Sequence, residues 1–373
     1  MKKIPLFDLN FGVEEEEAAL RALRSKWISM GPETEAFEKE YAALHQSQYA
    51  IAVANCTAAL HLALRVCGVG PGDEVIVPSL TFVATANSVR MVGATPIFAD
   101  VVSLDDWTIC PREIEAKITA KTKVIIPMHF GGQGADMLKI CELAKAHNLR
   151  VIEDACHAPL GKRDGKTLGT FGDFGCYSFY SNKNMATGEG GMLLTQNEGF
   201  NSRLRLLRAH GMTATAYDRE QGKEFYDVVD WGYNYRMDDI RSAIGRAQLQ
   251  KLEADIAKRR ILAERYRKNL GDSELVSIPF GSYLGESSNY VMGMLLEKAN
   301  RGEVRTALAE RGIGTSMHYP PVHQFECYQK FATSLPLTED IGRREISLPL
   351  YFNMTVEDVD YVCQNLVEVL GER

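Results

Sequence analysis

Lys183 is the residue best placed for covalent chemistry. An apolar run, Cys176 to Tyr180, leads into a polar turn carrying the lysine, and a turn with Gly188, Gly190 and Gly191 leads into a second apolar run, Met192 to Thr195. The pattern predicts an amine on a short loop between two buried strands. A lysine in a largely desolvated pocket loses part of its preference for the charged form and becomes a nucleophile toward an aldehyde, giving a Schiff base. The glycines let a flat ring or a neighbouring backbone approach closely. A lysine in a polar hairpin is more often a solvated surface residue, so the reading depends on partners elsewhere in the chain.

Those partners are present by type. Asp154 ends the apolar run Val151 to Glu153, where a carboxylate would pair with a cation; the alternative is a helix N-cap. His157, three residues later, would lie over a flat ring or be a core histidine. Ser178, five residues before Lys183, offers a hydroxyl from the same strand-and-turn unit. The strand Tyr49 to Ala54 runs through Asn55, Cys56 and Thr57 into a helix from Ala58 to Val66, and such a junction aims free N–H groups at an anion, commonly a phosphate. Taken alone that signal is weak, because many such turns bind nothing. A lysine for an aldehyde, a carboxylate for a ring nitrogen, a group against the ring and donors for a phosphate are together the needs of a pyridoxal phosphate site.

The elements that would position these residues follow an alternating pattern. Strands at Val75 to Val77, Pro96 to Val101, Val124 to Met128 and Arg150 to Asp154 alternate with helices from about Phe82 and from Ala135 to His147. Short all-apolar strands separated by helices imply a mostly parallel sheet covered on both faces, with ligands at the carboxyl ends of the strands. The expected organisation is α/β: an N-terminal arm over 1–12, a large domain over 13–240, and a connector helix plus a smaller C-terminal α+β domain over 241–373. Helices are expected at Val13 to Ser25, Glu33 to Leu44, Asn197 to His210 and Asp238 to Leu270, the last long enough to join two domains. Beyond it, extended segments at Leu275 to Ile278, Ser288 to Leu296 and Thr315 to Tyr319 and helices at Arg301 to Arg311 and Val356 to Leu370 are expected.

Composition narrows the function. The 373 residues carry 45% hydrophobic and 24% charged residues, ordinary for a globular protein. A net charge of -7 without a long basic run argues against a nucleic-acid partner. The eight cysteines are scattered with no Cys-x-x-Cys pair, so no metal site is expected and reduced thiols fit best. With no apolar leader or spanning segment, the chain reads as cytoplasmic.

Seven stretches, in order, resemble the DegT/DnrJ/EryC1/StrS family of pyridoxal-phosphate sugar aminotransferases, within the aspartate aminotransferase fold group. They are Trp27 to Pro32, Cys56 to Leu64, Pro78 to Thr85, Glu153 to Ala158, Ser178 to Gly191, Gly232 to Met237 and His318 to Pro321. The resemblance implies that Lys183 bonds to the cofactor aldehyde and shuttles protons, and that Asp154 pairs with the pyridine nitrogen. It implies Phe82 and His157 on the two ring faces, backbone donors at Thr57 and Ala58 for the phosphate, joined by Ser178, and Asn234 supplied by the partner subunit of a homodimer with shared sites. Gly31, Pro32, His129, Arg236, His318 and Tyr319 would face the sugar, although Gly31 and Pro32 would serve equally as a turn and Arg236 as a carboxylate's partner. Ser181 and Asn182 replace a commoner Pro-Thr-like pair, and Cys156 a commoner alanine. Relatives that dehydrate sugars carry histidine in place of the lysine, so Lys183 favours transamination. The implied reaction moves an amino group, with glutamate the expected donor, to a keto-sugar on a nucleotide. A cyclitol or other cyclic ketone is the alternative acceptor, and a non-catalytic regulator the alternative class.

Overall fold

The computed structural model describes residues 2–281 and 285–371, so the first residue of the expected arm and, in the expected C-terminal region, residues 282–284 and the last two lie outside it. Seven strands form one sheet: β1 (Tyr49–Val53), β2 (Glu74–Pro78), β3 (Thr95–Ala99), β4 (Thr122–Ile125), β5 (Arg150–Asp154), β6 (Phe174–Ser178) and β7 (Gly191–Thr195), in the order β1-β7-β6-β5-β4-β2-β3. Strands β3, β2, β4, β5 and β6 are parallel, and β7 alone is antiparallel to both its neighbours, β6 and β1. The α/β class expected from the alternating pattern is therefore the class observed.

Both faces of the sheet are covered, which is why its strands read as continuous apolar runs. One face packs on the helix Cys56–Val66, with Leu60, Leu62 and Leu64 against Val75, Val77, Ile152 and Cys176. The other receives Phe37 and Tyr41 from the helix Pro32–Leu44, against Tyr177, Phe179 and Met192. Because β7 is reversed, β1 and β6 on its two sides point the same way, and the carboxyl ends of β1, β5 and β6 reach one rim of the sheet.

A second core lies around an antiparallel sheet of β8 (Val276–Ser277), β9 (Met292–Leu296) and β10 (Glu345–Leu348). The helices Arg301–Glu310 and Val356–Gly371 pack on it, as do Leu262, Tyr266 and Leu270 from the last turns of the connector helix Asp239–Leu270. The arm joins this core: Ile4 is buried there and bridges to Ile313. Several C-terminal details differ from expectation. The extended segment from Ser288 becomes a strand only at Met292, Thr315 to Tyr319 makes only an isolated bridge between Ser316 and Ser347, and a helix, Pro336–Arg344, appears before β10. Residues 322–341 return to the first core, where Val322, Tyr328, Leu335 and Ile341 are buried. The amide of Val322 donates to the Ser79 carbonyl at 2.9 Å, and Asp100 accepts from Thr338 Oγ1 at 2.7 Å. Among the described residues no helix is long and apolar enough to cross a membrane.

Candidate active site

Strand register brings distant motifs together at the rim. Gly191 pairs with Ser178 on one side and Val53 on the other, so the end of β6 and the end of β1 flank one glycine. A Cβ on Gly191 would lie 2.6 Å from the Asn55 carbonyl carbon and 2.8 Å from the Cys56 nitrogen. Only glycine lets β7 begin this close to the start of the helix Cys56–Val66. Asn55 caps that helix by accepting from the Ala58 amide at 2.9 Å. The cap takes the Ala58 N–H expected to be a phosphate donor, so of the two expected backbone donors the Thr57 amide remains available. Ser178 is half-buried beside it, its Oγ accepting from the Tyr180 amide at 3.3 Å.

Asp154 is buried at the end of β5. Its Oδ2 accepts from Thr85 Oγ1 at 2.7 Å and its Oδ1 from the Cys156 amide at 3.3 Å. No helix follows, so it is not an N-cap, and among the described residues it makes no ion pair. A buried carboxylate without a cation is costly unless a partner arrives. Its charge is felt nearby: burial and Asp154 push the Cys176 thiol well above its usual value. Thr85 lies in a stretch that carries the family resemblance, and its role appears only in three dimensions.

Lys183 sits in the turn expected for it, closed by its amide donating to the Tyr180 carbonyl at 2.9 Å. Two outside contacts hold this loop. Gln248 of the connector helix accepts from the Ala186 amide at 3.2 Å, and Asn184 Nδ2 donates to the Ser288 carbonyl at 2.8 Å. The second contact delivers Tyr290, whose ring lies 4.1 Å from Lys183 Nζ. The titration of Lys183 differs from expectation. Burial pulls it down as anticipated, but Tyr290, Cys156 and Asp154 together outweigh burial and hold the ammonium above the ordinary lysine value. Nothing in the local sequence announces Tyr290, which comes from a segment more than 100 positions away.

His157 is fully buried and stacked on Tyr290, with ring centroids 4.0 Å apart. Burial, then the charge of Lys183, pushes it well below the ordinary histidine value, so it is neutral. Its Nδ1 accepts from the Gly131 amide at 3.4 Å, which leaves the proton on Nε2 to donate to Tyr319 Oη at 2.9 Å. Phe82 is 53% exposed and does not stack on His157; Tyr319 makes ring contact with each, at 5.9 Å in both cases.

The residues expected to face a sugar separate into two groups. His318 and Tyr319 belong to the cluster, and burial followed by Lys183 pushes His318 down to about 3. His129 does not belong. It is buried, its Nε2 donates to Glu153 at 3.0 Å and its Nδ1 accepts from the Ala135 amide at 3.2 Å, so neither nitrogen is left for a ligand. Gly31 is buried and Pro32 exposed at the start of the helix Pro32–Leu44, held there by Asp239. Arg236 is half-buried, its backbone bridges to Val53, and among the described residues it has no ion pair. Asn234 is exposed, bridging by backbone to Ala209.

This donor set fits pyridoxal phosphate: an amine on a held loop, a buried carboxylate lacking a cation among the described residues, aromatic groups beside the amine, and a helix start beside a serine hydroxyl. Comparison with known proteins agrees. The model of the DegT/DnrJ/EryC1/StrS aminotransferase family matches residues 10–367. The chain is 40% identical over 96% of its length to the spore coat polysaccharide biosynthesis protein SpsC of Bacillus subtilis, covering 95% of that protein. It is 39% identical to the GDP-perosamine synthase of Escherichia coli O157:H7, with all of both chains covered. The PLP form of the putative sugar aminotransferase Spr1654 of Streptococcus pneumoniae superimposes with a TM-score of 0.91 at 28% identity, over 100% of this chain and 99% of that one. With its whole fold and nearly its whole length matched, the chain belongs to the DegT/DnrJ/EryC1/StrS aminotransferase family and is an aminotransferase.

Proposed function

We propose that the protein uses pyridoxal phosphate to move an amino group from an amino acid, glutamate, to the keto group of a nucleotide-linked sugar. The observation that carries this reading is Asp154, a buried carboxylate without a cationic partner, on the same rim as Lys183 and the start of the helix Cys56–Val66. The sugar is suggested by relatives matched over 95% and 100% of their length, whose names refer to a polysaccharide and to GDP-perosamine. When bound, the cofactor supplies an electron sink. The protein's own groups do the rest. Asp154 keeps the ring nitrogen protonated, Lys183 holds the cofactor and carries protons between reacting carbons, and neutral His157 packs beside the ring without competing for charge. Ser178 and the Thr57 amide bind the phosphate. Gly31, Pro32, Arg236, His318 and Tyr319 are assigned to the acceptor.

Asn234 is assigned to the partner's site in a homodimer. It is exposed beside an apolar stretch in which Phe225 is 84% and Trp231 88% exposed, more than an isolated chain usually leaves open in one place. Sedimentation of the parent protein and of Trp231→Asp tests this assembly; a monomeric parent sinks it.

The functional test is the absorption spectrum with pyridoxal phosphate before and after glutamate, followed by a panel of keto-sugars and cyclic ketones. A Schiff-base band that glutamate converts supports the donor, and product from nucleotide sugars alone supports the acceptor. Lys183→Ala should keep the cofactor non-covalently and lose turnover; near-normal turnover in that variant would overturn the assignment.

A further inference from the structure

A buried polar chain runs from β10 to the site. Alternation along β10 puts Glu345 and Ser347 on one face, opposite Ile346 and Leu348, which belong to the second core. Glu345 Oε2 accepts from the His318 amide at 2.8 Å, and Glu345 Oε1 accepts from Ser347 Oγ at 2.5 Å. Ser347 Oγ lies 2.8 Å from His318 Nδ1. All three residues are buried, with relative exposures of 1% for Glu345, 0% for Ser347 and 6% for His318. Among the described residues His318 Nε2 has no hydrogen-bond partner. His318 and Tyr290 line one small cavity of about 20 Å³, with Asn182 beside them. The two rings meet edge to face at 6.1 Å, and Lys183 Nζ lies over Tyr290.

A hydroxyl has one proton, so this geometry allows two directions only. With Glu345 ionised, Ser347 donates to Glu345 and accepts from His318 Nδ1–H, leaving a lone pair on Nε2. With a proton on Glu345 Oε1, Ser347 is donated to and gives its own proton to Nδ1, so the imidazole proton must sit on Nε2. We propose that Glu345, acting through Ser347, decides which nitrogen of His318 carries the proton, and so whether the site near Lys183 meets an acceptor or a donor. Glu345 and Ser347 are positioning residues in this account, which rests on the amino-transfer reading only for its use.

Both states are accessible near neutrality. Burial pushes Glu345 up to about 8, opposed by Ser347, the His318 amide, and the charges of Arg301 and Arg305 on the neighbouring helix. The other titratable groups facing the relay are Lys183, which lowers His318, Tyr319, which burial raises and which also feels Glu345, Tyr290, whose ring meets His318 edge to face, and His157, which burial, Lys183 and His318 push down. His318 itself stays neutral, so the change is one of tautomer rather than of charge.

The test is ¹⁵N magic-angle-spinning NMR of full-length protein labelled at histidine, at pH values below and above about 8. Protonated and bare ring nitrogens resonate far apart, and His318 is assigned by its loss in His318→Gln. The parent protein should move from Nε2–H toward Nδ1–H as pH rises. In Glu345→Gln the amide oxygen takes the His318 N–H and the NH₂ group faces Ser347, which locks Nε2–H at both pH values. If Glu345→Gln shows the parent's tautomer at both pH values, the relay is overturned. Should that variant not fold, Ser347→Ala carries the test: loss of the parent's pH-linked exchange supports the relay, and a spectrum identical to the parent's overturns it. Failure of amino transfer in the parent enzyme would remove the functional reading and leave this result standing.

Discussion

Asp239 offers a direct test of how the connector helix holds the rim. Its buried carboxylate accepts from the Gly31 amide at 2.7 Å, the Glu33 and Thr34 amides at 3.1 Å each, and Thr34 Oγ1 at 2.7 Å. In effect it caps the helix Pro32–Leu44 from another element. Asp239→Ala would leave the buried Gly31 and Thr34 amides without acceptors, while Thr34 Oγ1 keeps Ser242 Oγ at 2.9 Å. A lost cap costs about 1–2 kcal/mol and a hydrogen bond to a charged group about 1.5–3 kcal/mol. The segment relieves part of this by opening, so we expect about 2–3 kcal/mol of lost local protection. At ~1.4 kcal/mol per decade that is roughly 30-fold to 150-fold faster amide exchange. Hydrogen exchange read by mass spectrometry on peptides covering Trp27 to Phe37 measures it, with peptides from β4 and β5 as controls. Asp239→Asn keeps one accepting oxygen and should lose about 1 kcal/mol, roughly fivefold. Exchange within about threefold of the parent in Asp239→Ala, a shift worth less than one ordinary hydrogen bond, would refute the reasoning.

Three further outcomes follow from the geometry. Thr85→Val removes the 2.7 Å donor to Asp154, a charge-assisted bond whose loss should cut kcat/KM by about tenfold or more; parent-like kinetics would count against Asp154 as the ring partner. Gly191→Ala forces a Cβ to within 2.6 Å of the Asn55 backbone, so it should lower stability by about 1–3 kcal/mol and weaken cofactor retention, and a variant with the parent's Tm and cofactor content would refute the close-approach account. Burial pushes His45 down to about 3, and its buried Nε2 has no partner among the described residues. The unfolded histidine titrates near 6.5, so between the two values only the unfolded chain binds that proton: stability is full above about 6.5 and is lost as pH falls toward 3. His45→Phe should flatten the pH dependence of the urea midpoint between pH 4.5 and 7.5, and parallel curves for the two proteins would exclude His45 as a cause.

Much of the site was legible because its parts are local. A strand end, a turn and a helix start are decided within about ten residues, and Asp154, Ser178, Lys183 and the Asn55 to Thr57 junction each lie in such a unit. Apolar runs gave β1 to β7 for the same reason, with boundaries off by one to a few residues. Sequence alone could not assign individual polar atoms. Asn55 takes the Ala58 amide, Glu153 and the Ala135 amide occupy His129, and Tyr319 makes ring contact with both Phe82 and His157. Each is a competition among several available partners, some local, as Ala58 is to Asn55, and some distant, as Tyr319 is to Phe82 and His157, settled by packing. The lysine shows the same limit: burial was foreseeable from its flanking strands, whereas the groups that outweigh burial come mainly from other segments.

The groups around the Lys183 amine therefore have two origins. The large sheet supplies Asp154, Ser178 and Lys183, whose positions follow from strand register. The segment leading into β9 supplies Tyr290, tied by its amide to the Gly131 carbonyl, while the link Gly314 to Pro321 and β10 supply His318, Ser347 and Glu345, whose positions depend on how the second core sits against the first. Asn184, anchored to the Ser288 carbonyl, ties the lysine loop to that second group at 2.8 Å. Any shift of the small sheet relative to the large one would then move His318 with respect to Lys183, while leaving Asp154 where Thr85 holds it and Tyr290 where its amide meets the Gly131 carbonyl. On the proposed reading, ring chemistry depends on one core and the proton state of His318 on the other, so a lesion in β10 should alter proton handling with cofactor binding intact, and a lesion in β5 or at Gly191 should do the reverse.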